Sequence, residues 1–260
     1  MPSAAASWIA LTREVSPTIV DCELTHLARS PISVDIARSQ HQAYEQLLVA
    51  LGCEVRRVTP APDYPDAVFI EDTAVVFDEL AVITRPGAAS RRAETAAVES
   101  ALAALRPMAR ITAPGTLDGG DVLTVGRSVF VGRTGRTNDD GIAQLRTLLA
   151  PFGYDVQGVD VTGCLHLKSA ITAVDHDTVL INPEWVNPAV FARFRAEAVD
   201  PREPAGANIL RIGDQLVYGA SYPHTQARLE RLGYVVHTVD ASELAKAEGA
   251  VTCCSLVLRS

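Results

Sequence analysis

The chain has 260 residues, 48% of them apolar and 21% charged, enough to bury a full hydrophobic core. A formal net charge of −8 offers no basic footprint for nucleic acid or an anionic membrane surface, and no apolar run approaches the length of a membrane span. The cysteines Cys22, Cys53, Cys164, Cys253 and Cys254 are odd in number and lack CxxC spacing, and Met1-Pro2-Ser3 opens without a basic, apolar leader, so a reducing cytoplasm is the expected compartment.

In chain order, the first helix reads Ala37, His41, Tyr44, Leu47, Leu48 and Leu51 at helical spacing and stops at Gly52, where Cys53-Glu54-Val55 starts a strand. The second runs through Val98, Leu102 and Leu105 to Pro107. Asn138 opens the third, which continues through Ile142, Leu145, Leu148 and Phe152 to Gly153. A fourth is predicted from Asn187 as cap and Pro188 at the first helical position, burying Val190, Phe191 and Phe194. The fifth follows Pro223 and ends at Leu229, Leu232 and Gly233.

Three of these ends are nearly the same words: Leu51-Gly52-Cys53-Glu54-Val55, Phe152-Gly153-Tyr154-Asp155-Val156 and Leu232-Gly233-Tyr234-Val235-Val236. Between the helices lie hairpins with tight turns at Asp78-Glu79, Gly126-Arg127, Asp175-His176-Asp177 and Gly213-Asp214. Helix ends recur roughly every 35 to 55 residues, the period of a repeat architecture. About five ββαβ-like units follow, and such units close into a ring around a central channel, helices outside and strands toward the axis. A doubly wound sheet fits less well, because no Gly-rich phosphate turn follows a first strand and hairpins are too frequent. No linker or low-complexity tract divides residues 1–260, so one α/β domain is expected.

Chemistry-bearing residues gather at the ends of these units. Asp63, Asp66, Glu71 and Asp72 crowd around Val68-Phe69-Ile70. In a plain loop such acids are solvated surface; at a channel mouth they build a cavity of one sign, suited to a planar guanidinium that gives a carboxylate two N–H donors side by side. Leu117-Asp118-Gly119-Gly120-Asp121-Val122-Leu123 reads either as a turn or as a place where a ligand or side chain comes close to the backbone. Cys164-Leu165-His166-Leu167-Lys168-Ser169 carries a histidine, and Thr252-Cys253-Cys254-Ser255 a cysteine pair. A lone histidine or cysteine is more often a satisfied structural group. Asp118, His166 and Cys253 from different units would nevertheless complete a nucleophile, base and orienter if the ring brings them together. Arg85, Arg91, Arg92, Arg133 and Arg136 flank the acids, and acids beside arginines suit a zwitterion.

Taken together, Asp66-Ala67-Val68-Phe69-Ile70-Glu71-Asp72-Thr73-Ala74-Val75-Val76, Ile83-Thr84-Arg85-Pro86-Gly87-Ala88, the Asp118 and His166 runs, Gly135-Arg136-Thr137-Asn138 and the cysteine pair resemble dimethylarginine dimethylaminohydrolase, in that family's order and over most of the chain. The resemblance implies the five-bladed α/β propeller, or pentein fold, of the guanidine-modifying superfamily. It also implies hydrolysis of N-omega-methylated arginine to citrulline and methylamine or dimethylamine. Carried over by motif, Cys253 is the nucleophile, His166 the general acid and base, and Asp118 its orienting carboxylate. Asp72 is the main guanidinium anchor, with Asp66 and Glu71 beside it. Arg91 and Arg136 match the positions that hold the amino-acid end, Ala247 the backbone site for the amino group, and Leu27 the lid.

The mechanism then runs from the residues. The Cys253 thiolate adds to the guanidinium carbon, His166 protonates the departing amine, and water activated by His166 resolves a thiouronium-like intermediate. An acidic surround disfavours the thiolate until a cation arrives, so substrate itself is expected to promote ionisation. No cofactor is expected, and zinc would block Cys253. Rival readings are an arginine deiminase, which normally carries an added helical domain, and a non-catalytic propeller that binds ribosomal surfaces, whose members lack the cysteine and histidine. The expected partner is a small-molecule substrate, with neither nucleic acid nor membrane, and the ring is a monomer or homodimer.

Overall fold

Short strands and helices alternate in the computed structural model, which describes residues 8–260, and assemble five three-stranded sheets. β1 (Trp8–Thr12) leads through α1 (Val34–Ala50) to β2 (Cys53–Arg57), parallel to it. The next sheet pairs β3 (Ala74–Val76) antiparallel with β4 (Ala81–Ile83), then crosses through α2 (Thr95–Leu102) to β5 (Met108–Arg110), parallel to β4. β6 (Val122–Val125), β7 (Ser128–Arg133), α3 (Asp139–Leu149) and β8 (Asp155–Asp160) repeat the pattern. A single turn, α4 (Leu167–Ala170), introduces the fourth sheet, β9 (Ile171–Ala173), β10 (Thr178–Ile181) and β11 (Arg195–Ala198). The fifth holds β12 (Ile209–Ile212), β13 (Gln215–Gly219), α5 (Pro223–Arg231) and β14 (Val235–Val239). After the one-turn α6 (Ser242–Ala245), β15 (Leu256–Arg259) pairs antiparallel with β1, Trp8 opposite Arg259, and completes the first sheet. The opening Met1-Pro2-Ser3, read above as lacking a leader, lies outside the described residues.

Local chemistry explains the regular elements. The Ser33 hydroxyl and the Asn138 side chain accept amide protons at the starts of α1 and α3, where the first turn has unpaired donors. Gly52, Gly153 and Gly233, the glycines of the repeated helix ends, all have left-handed φ, between 73° and 94°, which lets each chain reverse directly into a strand. The predicted fourth helix is a correction. Asn187 does cap and Pro188 does open it, yet only a 3-10 turn over Pro188–Phe191 forms. β11 begins at Arg195, leaving no room for further turns; Phe191 is fully buried, tilted on Phe130 at 4.7 Å between centroids, and Val190 and Phe194 pack half-buried on the same cluster.

Apolar burial is divided among five clusters, each between sheets and outer elements. Ile142, Leu145 and Leu149 of α3, for example, pack on Val122, Val129, Val131 and Val156. Truncating the fully buried Leu145 to alanine costs about 2–5 kcal/mol by the usual transfer and cavity terms. The first strand of each hairpin, β3, β6, β9 and β12, joins β15 in lining one central recess. Among the described residues no helix is long and apolar enough to cross a membrane.

Candidate active site

Five corresponding positions lie just before the five inner strands: Asp72 before β3, Asp118 to Asp121 before β6, His166 before β9, Asn208 before β12 and Cys253 before β15. Repetition of the unit therefore carries them to one end of the ring axis. All are buried. The two glycines between Asp118 and Asp121 make this possible: a Cβ on Gly120 would lie 2.6 Å from His166 Nδ1 and 2.8 Å from Asp72 Oδ1, and one on Gly119 would overlap the Glu71 carbonyl oxygen.

His166 Nε2 lies 3.0 Å from Asp118 Oδ2, and its Nδ1 3.8 Å from Asp72 Oδ1. Asp118 is held in turn, its Oδ1 accepting from the Gly87 amide at 2.9 Å. Asp121 supports the same histidine from below, accepting the Leu167 amide at 2.9 Å and the hydroxyls of Thr134 and Thr137 at 2.7 and 2.6 Å. Asp72 accepts from Gly120 N at 3.0 Å and from Arg91 Nη1 at 2.5 Å.

These contacts set the protonation states. Burial by itself would depress His166, but the carboxylates of Asp72, Asp121 and Asp118 outweigh it and lift the imidazole to about 9. Burial likewise opposes ionisation of Asp72, and His166 and Arg91 overcome it, holding the acid down to about 2. Asp121 is raised to about 6, chiefly by burial. Cys253 is pushed up to about 12 by burial and by Glu71 and Asp72. The resting site at neutral pH is thus a neutral thiol beside an imidazolium. Asp72, Asp118 and His166 offer ligand atoms within 4.8 Å of one another, but the raised imidazole keeps its protons at neutral pH, which works against metal binding there.

Cys253 and His166 border one recess, together with Asp66, Asp72, Arg91, Arg136 and Ala247. Asp118 stands behind His166, fully buried. Two residues expected here lie elsewhere. Glu71 faces the central channel, where it takes Lys168 Nζ at 2.5 Å and the Thr252 hydroxyl at 2.8 Å. Successive residues of the 3-10 turn Ile70–Thr73 point in different directions, so its neighbour Asp72 faces the recess and Glu71 does not. Leu27 is half exposed and meets the site only through its amide, which donates to Glu248. Arg91 borders the recess but is tied to Asp72, Glu94 and the Asp66 and Phe69 carbonyls.

Sequence reasoning missed Glu23 and Glu248, which also border the recess, and Asn208, whose side chain donates to Lys168 O and Thr252 Oγ1 and accepts from Thr252 N. For Asn208 a signal existed, since it leads into the inner strand of its own unit as the segments carrying His166 and Cys253 lead into theirs. Asp121 lay within a quoted motif without a role.

No protein-family model matches the sequence. A curated relative from Streptomyces coelicolor, named N(G),N(G)-dimethylarginine dimethylaminohydrolase, is 45% identical over 253 residues, covering 96% of each chain. The Pseudomonas aeruginosa protein of the same name is 35% identical, covering 85% of this chain and 87% of its own. The solved structure of the Pseudomonas aeruginosa enzyme, a cysteine-to-serine mutant complexed with citrulline, superposes with a TM-score of 0.93 at 32% identity, over 97% of this chain and 99% of that one. The N-terminal domain of ArgZ, an arginine dihydrolase from Cyanobacteria, shares the fold at 18% identity and a TM-score of 0.88. With such relatives spanning nearly its whole length, on a ring of five like units, the chain belongs to the dimethylarginine dimethylaminohydrolase family, of pentein fold.

Proposed function

We propose that residues 1–260 act as a single catalytic domain that hydrolyses N-omega-methylated L-arginine to L-citrulline and methylamine or dimethylamine. The observation that carries this reading is one recess bordered by a thiol, an imidazole, carboxylates and two arginines. A flat cation with a zwitterionic tail matches that lining. Asp72, aided by the charge of Asp66, receives the guanidinium; Arg136 and Arg91 receive the carboxylate; the Ala247 backbone receives the amino group; and the segment around Leu27 covers the bound molecule.

The reaction proceeds in two halves. Cys253 gives its proton up to solvent and its sulfur bonds to the guanidinium carbon, whose C–N π pair moves onto nitrogen, giving a tetrahedral adduct. Transfer of a proton from His166 to the methylated nitrogen lets the amine leave with the C–N bonding pair, and an S-alkylthiouronium remains. Water then gives one proton to His166 and adds its oxygen to the same carbon; the C–S bond breaks with its pair on sulfur, which takes up the remaining hydroxyl proton, so that citrulline is released and the thiol is restored. Asp118 holds the imidazole in orientation and Asp121 adds charge that keeps it protonated for the first half. Water is the sole co-reactant.

Turnover of dimethylarginine and arginine, measured side by side on the purified chain and on Cys253→Ser, tests the assignment. Citrulline and dimethylamine should form from the first substrate, and Cys253→Ser should abolish it. Ammonia released preferentially from unmodified arginine would instead make the protein a deiminase.

A further inference from the structure

Glu248 is the one described non-glycine residue with a positive φ, 58°. A left-handed backbone disfavours a Cβ, and such a residue persists where its side chain has a task. Its carboxylate shows what that task is. Oε2 accepts from the Thr25 amide at 2.9 Å, and Oε1 accepts from the amides of His26 and Leu27 at 2.5 and 2.7 Å. Three consecutive peptide N–H groups converging on one charge form an anion-binding concavity, here filled by a residue more than two hundred positions away in sequence.

The captured segment reaches the site directly. Glu23 borders the recess and gives its amide to Asp66 Oδ2 at 3.1 Å. The Thr25 hydroxyl accepts from Arg136 Nη2 at 3.2 Å. Glu248 borders the recess itself, between Ala247 and Gly249. Farther along, Lys246 Nζ donates to the Pro31 carbonyl at 3.0 Å, and Glu243 accepts the Ser33 amide at 2.9 Å. Residues 25–33 are therefore pinned at both ends by the stretch that leads to Cys253, and Asp66 holds Glu23 just ahead of them. Packing contributes little in the middle, where Leu27 is 50% exposed, so polar contacts decide where this segment sits.

We infer that Glu248 is a positioning residue that clamps the backbone of residues 25–27 and so fixes the segment that presents Glu23 to the recess, supports Asp66 and meets Arg136. The inference rests on the hydrolase reading for its kinetic consequence. The clamp holds the arrangement in which Glu23, Asp66 and Arg136 meet, where the amino-acid end of the substrate is received, and makes no hydrogen bond to the thiol or imidazole. Its loss therefore weakens binding more than chemistry.

The test compares Glu248→Gly, which relaxes the backbone while removing the carboxylate, with Glu248→Gln, which keeps its shape, and Glu248→Asp, which keeps the charge. Amide hydrogen exchange of a peptide covering residues 23–30 is read without ligand, and kinetics are read on dimethylarginine. Glu248→Gly should speed exchange at residues 25–27 about tenfold and raise KM about tenfold, equivalent to about 1.4 kcal/mol, with kcat within about twofold of the parent. Glu248→Asp should restore part of both effects. Unchanged exchange in the glycine and glutamine variants would overturn the clamp, and so would faster exchange with KM unmoved, or a fall in kcat and thermal midpoint without a rise in KM. Should the glycine variant fail to fold, the glutamine variant gives the same readouts. Because exchange needs no turnover, failure of the parent to hydrolyse dimethylarginine would sink the assigned reaction while leaving the clamp open to test.

Discussion

The thiol of Cys253 gives the sharpest test of how this site works, because its resting environment opposes the reaction. Buried, and within the field of the Glu71 and Asp72 carboxylates, it is pushed up to about 12, so at pH 7 only about one thiol in 10⁵ is ionised. A guanidinium placed about 4 Å from the sulfur, at an effective dielectric of about 20, stabilises the thiolate by about 4 kcal/mol. That corresponds to about three pKa units, which brings the thiol to about 9 and raises the thiolate fraction about a thousandfold. Ultraviolet thiolate absorbance, with the Cys253→Ser titration subtracted to remove the other four cysteines, measures this directly. A slowly turned over guanidinium amino acid should shift the curve downward, whereas citrulline, of the same shape without the charge, should not. Superimposable curves with and without the cation, or an equal shift with citrulline, would refute the argument that substrate charge activates the nucleophile.

Other outcomes follow from the same geometry. Glu71→Gln leaves Lys168 without its partner and should lower stability by about 2–3 kcal/mol in urea unfolding while KM stays within about twofold; Asp72→Asn should raise KM at least about tenfold. A KM rise in Glu71→Gln equal to that in Asp72→Asn would mean that Glu71 does reach the substrate. Gly120→Ala forces a methyl group against His166 Nδ1 and Asp72 Oδ1, costing about 1–3 kcal/mol of stability and lowering kcat, and normal kcat in that variant would show that the turn has slack. Since His166 is raised from 6.5 to about 9, the stabilisation of its protonated form is complete below pH 6.5 and fades as pH rises through 9, by ~3 kcal/mol in all. The difference in unfolding free energy between the parent and His166→Gln should therefore shrink from pH 6 toward pH 10, and a flat difference would show that the carboxylates do not hold the proton.

Much of the ring was legible because its signals are local. The helix-ending glycines and the hairpin turns each specify a reversal of the chain without reference to distant residues, and their recurrence predicts the closed ring. The convergence of Asp118, His166 and Cys253 follows from the same recurrence, since like positions in like units must share one end of the axis. What stayed hidden depends on direction and on distance. Glu71 and Asp72 are adjacent in sequence yet serve opposite sides of the floor, a matter of one residue's rotation in a short helical turn. The engagement of Arg91 by Asp72 and Glu94 needs three-dimensional neighbours, as does the capture of residues 25–27 by Glu248. The fourth helix had the right cap and proline, but the arrival of β11 so soon after them left space for one turn only.

The pairing of β1 with β15 bears on what holds the nucleophile in place. The sulfur sits just ahead of a strand whose hydrogen-bonded partner lies more than two hundred residues earlier, so the docking of β15 on β1 anchors Cys253 beside the acids and the imidazole. Loosening that one seam, by a proline within β15, should cost activity well before it disturbs the contacts among Asp72, Asp118 and His166.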